Sequence, residues 1–247
     1  MKKLLLVLPL LVSLSCLAQE SSSKSGGLLK KAGGILNKAK GGTGTPLSEA
    51  EIIEGLKEAL SVGAKNSSEK LSATDGFFKN QIIKVLMPEE AKKVESTLRN
   101  LGMGSMVDKA ILSMNRAAEE ASKSAGNIFL TAIKQMTVQD AMGILKGSDS
   151  AATSYLKGKT WTELTNTFKP VIDEALKKTD ATKYWKDVFD TYNKLPTTMK
   201  KVDTDLPTYV TGRALNGLFY QVAQEEQKIR KDPAARVNDI LKKVFGS

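Results

Sequence analysis

Histidine is absent from this 247-residue chain, and cysteine occurs once, at Cys16. These two side chains carry much of the acid–base and nucleophilic catalysis at neutral pH, and they bind zinc, haem iron and iron–sulfur clusters. Their scarcity disfavours His-based triads and soft-metal sites. Carboxylate chemistry, Ser–Lys pairs and oxygen-lined cation sites remain open. We therefore expect no cofactor and no bound metal.

Long apolar runs are also lacking, except near the N-terminus. There, Lys2 and Lys3 precede an apolar run over residues 4–14, and small residues follow before Gln19. This run is shorter than the roughly 20 residues of a spanning helix. The pattern predicts a signal peptide over residues 1–18, cleaved near Ala18, and a periplasmic or secreted protein. In the alternative, Cys16 is the lipid-modified first residue of an anchored lipoprotein.

The positive charge of the chain is concentrated near its start. Removing Lys2 and Lys3 lowers the net charge from +10 to +8, and residues 19–46 contain five lysines against Glu20 alone. We interpret residues 19–46 as a flexible Gly-, Ser- and Lys-rich tether. It is either a solvated spacer or a segment that contacts anionic lipid or cell-wall polymers. Export and the lack of a dense basic patch with interleaved aromatics argue against nucleic-acid binding.

Beyond the tether, the apolar residues recur at three- and four-residue steps, as in amphipathic helices. The pattern predicts one all-α domain over residues 47–247, a compact bundle of roughly nine to ten helices. Two places depart from it: the apolar run at residues 82–87 is either a strand or a buried extended piece, and Pro170 is expected to kink or split its helix. Predicted helix starts are Ser48, Pro88, Thr137, Ser148 or Ser150, Thr160, Asp205 and Asp232.

One polar group interrupts an otherwise apolar helix. Asn115, Arg116 and Glu119 lie three and four residues apart and therefore on neighbouring faces. In one interpretation they face a ligand, in a site that Arg213 and Asn216 complete from a C-terminal helix. In the other they form a buried hydrogen-bond network that fixes helix packing, with Arg116 and Glu119 paired.

Two further sets of residues are candidates for chemistry. The doublets Glu119–Glu120 and Glu225–Glu226 do not make facing pairs by themselves, because adjacent residues on a helix point about 100° apart. A glycosidase-like site would need one carboxylate from each of two helices. The aromatic stripe at Tyr184, Trp185, Phe189 and Tyr192 is either core or the lining of an apolar groove for a lipid or peptide.

Several short runs resemble a bacterial family catalogued as domain of unknown function 4197. The resemblance extends over residues 47–246 in order, and implies a mostly helical, exported protein without an assigned activity or catalytic residues. The runs that carry it are GLKEAL at 55–60, TDGF at 74–77, MNRAAE at 114–119, AIKQMT at 132–137, RALNGLF at 213–219 and IRKDPAAR at 229–236.

Together these observations favour a non-enzymatic binding or scaffolding protein of the bacterial cell envelope. Its partner would be an envelope protein, a glycan or a lipid, and the N-terminal segment is a candidate for membrane contact. Two alternatives remain: a carboxylate-dependent envelope hydrolase, and a carrier of lipids or other amphiphiles with a cavity between its helices.

Overall fold

The computed structural model describes residues 48–178, 181–193 and 205–232, and the structural statements below concern these ranges. Every regular element in them is a helix, which confirms the all-α prediction. They contain eight α-helices and one 3-10 helix, so the count of nine to ten is not confirmed. The predicted signal peptide, the tether and a last helix after Asp232 lie outside the described residues.

The helices follow one another through short connections. Their bounds are α1 Glu49–Ser72, a 3-10 helix Glu89–Ala91, α2 Lys92–Asn100, α3 Gly104–Ser122, α4 Ala125–Lys134, α5 Val138–Lys146, α6 Ala151–Lys178, α7 Ala181–Asn193 and α8 Leu206–Lys231. None of these helices is long and apolar enough to cross a membrane.

Side-chain caps fix several of the helix starts where the sequence predicts them. The Ser48 hydroxyl accepts from the Glu51 N–H, and the Glu51 carboxylate accepts from the Ser48 N–H at 2.9 Å. Thr137 and Asp140 exchange the same two bonds at the start of α5. Asp205 accepts from the Thr208 N–H at 3.1 Å and begins α8. Each cap pairs backbone N–H groups that the first helical turn leaves unpaired.

The predicted helix start at Thr160 is wrong. Thr160 lies inside α6, where its hydroxyl donates to the Leu156 carbonyl oxygen at 2.7 Å. Pro170 also lies inside α6 and does not split it, although a splitting or a kink was expected. The physical reason is a buried stripe at four-residue steps that continues past both residues, because packing overrides local signals. The stripe consists of Ala152, Leu156, Thr160, Leu164, Phe168, Ile172 and Leu176.

The core forms where α6 meets the other long helices. α6 packs most extensively against α8 and α3, while α1 packs against α4 and α8. Phe219 of α8 meets Phe129 edge-on with ring centroids 5.7 Å apart and stacks on Trp161 at 5.8 Å. Of the aromatic stripe on α7, Trp185 and Phe189 are buried, as the core interpretation predicts. At Tyr184 and Tyr192 the structure describes only the helical backbone.

Candidate functional site

The apolar run at residues 82–87 forms neither a strand nor a helix. Residues 84–88 have no regular secondary structure, and side chains alternate along the segment. Ile83, Val85 and Met87 are buried, while Ile82 and Leu86 are exposed. This alternation is typical of extended backbone that covers a core with one face. The structure therefore favours the buried extended piece over the strand.

Asn115 of α3 supplies the hydrogen bonds that a neighbouring strand would give this segment. The Val85 N–H donates to Asn115 Oδ1 at 2.8 Å, and Asn115 Nδ2 donates to the Val85 carbonyl oxygen at 2.8 Å. The same Nδ2 donates to the Ile111 carbonyl oxygen at 2.7 Å. Asn115 is fully buried. The oxygen and both N–H groups of its amide are thus used, and two of the three bonds pair the N–H and C=O of Val85, which would otherwise be buried without partners.

Glu119, one turn further along α3, holds the turn that follows α1. Its Oε1 accepts from the backbone N–H groups of Phe77 and Phe78 at 3.1 and 3.2 Å. The side chain is buried, and Phe77 is fully enclosed in the core. A carboxylate that accepts two consecutive N–H groups acts like a helix cap supplied from a distant part of the chain.

Arg116 compensates the buried charge of Glu119. Its Nη1 donates to Glu119 Oε2 at 2.6 Å, and its Nη2 donates to Asp75 Oδ1 at 2.7 Å. These two hydrogen bonds raise the pKa of Arg116, and the bond to Glu119 has the larger effect. Hydrogen bonds from Lys79 and, to a smaller extent, from Arg116 lower the pKa of the Asp75 carboxyl below its usual value. The guanidinium therefore ties two carboxylates together at the edge of the core.

The turn itself is closely packed. Asp75 has a φ of +70°, a left-handed conformation that Asp and Asn adopt more readily than most residues. A Cβ on Gly76 would lie 2.5 Å from the Lys70 carbonyl oxygen. A Cβ on Gly217 of α8 would lie 2.6 Å from Phe77 Cε1. Glycine at 217 thus lets α8 approach the phenylalanine whose N–H Glu119 holds.

Arg213 and Asn216 do not join this group. Both are exposed on α8, whereas Asn115 and Glu119 are buried and only Arg116 is partly accessible. No hydrogen bond or ion pair links either residue to Asn115, Arg116 or Glu119 within the described ranges. The structure thus brings three of the five predicted residues together, around a turn and an extended segment. A ligand-binding role for the five stays a prediction.

Sequence reasoning named Glu226 only as one half of an acidic doublet and missed that it binds backbone in the same way as Glu119. Glu226 of α8 accepts from the N–H groups of Ala152 and Thr153 at 2.9 and 2.8 Å, at the start of α6. Arg230, four residues on, donates to Glu226 Oε1 and to the Ile144 carbonyl oxygen, both at 2.9 Å. The sequence signal for this role was the position of Glu226 on the helix, where it continues the buried stripe of Leu215, Leu218 and Val222.

The two acidic doublets therefore have divided roles. In each, one carboxylate is buried and bonded to backbone, while its neighbour lies nearer to solvent: Glu120 pairs with Lys123 at 2.6 Å and Glu225 with Lys228 at 2.9 Å. Neither doublet forms a facing pair, in agreement with the sequence prediction. Among the described side chains, no group of three or more acidic residues is placed to hold a metal ion.

A separate depression lies between α6 and the start of α8. It is an open hollow of about 540 Å³ beside Pro170. Lys169 Nζ and Asp205 Oδ2 are 3.7 Å apart across it. Its lining residues are Thr165, Asn166, Lys169, Pro170, Asp173, Asp205 and Pro207. None of the five predicted site residues lies in this hollow.

Comparison with known proteins identifies one family. The model of a family described as a protein of unknown function, DUF4197, matches residues 46–246. The match includes both buried carboxylates and the turn at residues 74–78. Neither the curated proteins nor the solved structures gave a match.

Proposed function

Since the chain belongs to the DUF4197 family of proteins of unknown function, we propose that it is an exported, non-enzymatic binding or scaffolding protein of the bacterial cell envelope. The proposal combines the leader-like N-terminus with a helical domain that presents one irregular edge. The observation that carries it is the contrast at this edge between buried polar groups that hold backbone and large apolar side chains that face solvent.

The polar groups support the binding interpretation over the catalytic one. A carboxylate-dependent hydrolase needs two carboxyl groups that face a reacting bond across a cleft. Glu119 and Glu226 instead accept from backbone N–H pairs and from an arginine on the same helix. Freeing either carboxylate for catalysis would leave these buried donors unpaired, at a cost of about 1–3 kcal/mol for each group.

The exposed apolar side chains supply the surface for a partner. Ile82, in the turn just before the segment that Asn115 holds, is 65% exposed, and Leu86, within that segment, is 49% exposed. Leu101 and Met103, at 69% and 40%, flank the turn between α2 and α3. A scaffold can use these exposed apolar side chains directly, because exposed apolar patches are typical of interaction sites.

Two measurements on the full-length chain, expressed in a Gram-negative bacterium, test the location. Cell fractionation with external protease in spheroplasts is expected to find the protein outside the inner membrane. Intact mass spectrometry is expected to give an N-terminus at Gln19 after simple cleavage, or a lipid-modified Cys16 in the lipoprotein alternative. An uncleaved cytoplasmic chain would contradict the proposal.

Two biochemical assays distinguish a binding protein from a hydrolase and from a lipid carrier. Purified protein is incubated with isolated cell-wall glycan and, separately, extracted with organic solvent for bound lipid. The proposal expects no release of soluble glycan and no stoichiometric lipid. Glycan release that Glu120→Gln or Glu225→Gln abolishes would instead favour the hydrolase, and one bound lipid per chain would favour the carrier.

A further inference from the structure

We propose that the outer edge of residues 84–86 binds an extended peptide of a partner protein, aligned parallel to the segment, with an acidic residue beside Lys84 and an apolar residue beside Leu86. This inference rests on the proposed function and specifies the partner class. The peptide would read acidic–any–apolar from its N- to its C-terminus.

The backbone of the segment provides the first argument. In an extended chain, the N–H and C=O groups of successive residues point to opposite sides. Val85 directs both groups to Asn115, so the Lys84 C=O and the Leu86 N–H point to the outer side. Neither of these two groups has a hydrogen-bond partner among the described residues. They are the acceptor and the donor that one residue of a parallel strand would pair with.

Neighbouring contacts define the length of this edge. The Lys84 N–H already donates to the Asn80 carbonyl oxygen at 2.9 Å, and the Leu86 carbonyl oxygen accepts from the Tyr209 hydroxyl at 2.8 Å. The free acceptor and donor lie between these two occupied groups. One partner residue therefore forms both backbone bonds, and side chains on either side of it must supply the rest of the recognition.

The side chains give the edge a chemical character. In a parallel pair, the partner residues before and after the bridging one lie beside Lys84 and Leu86 on the same face. The Lys84 ammonium is 4.1 Å from the centre of the Phe78 ring and has no acidic partner among the described side chains. A carboxylate would complement this charge, while Ile82 and Leu86 offer apolar contact. Charge and apolar exposure together favour the acidic–any–apolar order over a neutral peptide.

A labelled peptide with a central Glu-Val-Leu sequence, titrated into the mature full chain and followed by amide NMR, tests the proposal. The Leu86 N–H is expected to shift more than the Val85 N–H, which is already bonded. Methylating the nitrogen of the central Val removes its N–H without changing charge or length. We expect this change to weaken binding about tenfold, which corresponds to the loss of one hydrogen bond.

Charge reversal provides the matched control. Lys84→Glu is expected to weaken the Glu-Val-Leu peptide about tenfold and to bind a Lys-Val-Leu peptide in its place, since the paired charges are exchanged. Lys109→Glu, an exposed change on α3, is expected to leave both peptides unaffected. Binding that is equally strong for the methylated peptide, or that shifts residues elsewhere, would overturn the proposal.

A membrane is the competing occupant, and vesicles of phosphatidylglycerol serve as its probe. Suppose that the chain binds the vesicles but no peptide, and that the double variant Ile82→Ser with Leu86→Ser abolishes the vesicle binding. That result would overturn the peptide inference and leave the envelope function standing. A cytoplasmic, uncleaved chain would overturn the envelope function, whether or not the peptide binds. The two failures are therefore distinguishable.

Discussion

The carboxamide of Asn115 pairs with both backbone groups of Val85, with its Oδ1 accepting and its Nδ2 donating at 2.8 Å each. One side chain on α3 thus replaces the hydrogen bonds of a neighbouring strand. Glu119 holds the adjacent turn in a similar way, because its carboxylate accepts from the N–H groups of Phe77 and Phe78. The polar cluster that the sequence singles out therefore holds an irregular edge of the helical domain in place.

Asn115→Ala is expected to destabilise the protein by about 2–4 kcal/mol, because it leaves the buried N–H and C=O of Val85 unpaired. Asn216→Ala, an exposed change on α8, is the control and is expected to stay within about 0.5 kcal/mol of the wild type. Urea unfolding followed by circular dichroism measures both. Equal stabilities for the two variants would mean that Asn115 does not hold the segment.

Glu119→Gln is expected to cost about 2–3 kcal/mol, because the amide loses the charge that Arg116 and two backbone N–H groups bind. Glu120→Gln changes the exposed neighbour and should have an effect below about 0.5 kcal/mol. A double-mutant cycle with Arg116→Ala is expected to give a coupling energy well above the error of the unfolding measurement. A coupling near zero would exclude the ion pair as the source of the effect.

Two glycines on α8 are expected to respond in opposite directions to alanine. Gly217→Ala places a Cβ against the buried ring of Phe77 and should destabilise by about 1–3 kcal/mol. Gly212→Ala meets no atom within 4 Å and should stabilise by up to about 1 kcal/mol, because alanine has the higher helix propensity. Thermal unfolding compares the pair. A stabilising Gly217→Ala would show that α8 and the turn are not in close contact.

Acid should weaken the hold on the turn through Asp75. Its pKa is lowered in the folded state by hydrogen bonds from Lys79 and Arg116, so its contribution is present above the unfolded pKa of about 3.9 and is lost as the pH falls through the folded value. Asp75→Asn keeps a side chain that tolerates the positive φ. Its stability deficit relative to the wild type is expected at pH 7 and should shrink as the pH falls below about 4. A deficit independent of pH would contradict this assignment, and Asp149→Asn is the exposed control.

Local patterns in the sequence predict most of the helices and their caps, because these depend on residues three or four positions apart. Thr160 shows where this fails: a threonine followed three residues later by Glu163 also fits the interior of a helix when a buried stripe continues on both sides. The same stripe carries α6 past Pro170. Packing between distant helices decides both cases, and it is not visible in a local pattern.

The candidate site was predictable only in part, because its local spacing is visible in the sequence and its distant contacts are not. Asn115, Arg116 and Glu119 are visible as polar interruptions of an apolar helix, and the Arg116–Glu119 pair follows from their spacing. Their partners are not visible, since Val85 and Phe77 lie 30 and 42 residues away in the chain. Arg213 and Asn216 share a helix with Gly217, yet they lie on its exposed side. The buried role of Glu226, which the sequence offers only as part of a doublet, could have been found by the rule that identified Asn115, because Glu226 too continues a buried stripe.

Amide hydrogen exchange at two adjacent residues tests most directly whether Asn115 pairs one side of the segment and leaves the other side open. The Val85 N–H is expected to exchange slowly, because it is bonded to the buried Asn115, while the Leu86 N–H exchanges fast. In Asn115→Ala, the protection of Val85 should be lost while the amides of α6 keep theirs. Equal protection of Val85 and Leu86 in the wild type, or unchanged protection of Val85 in the variant, would contradict the account.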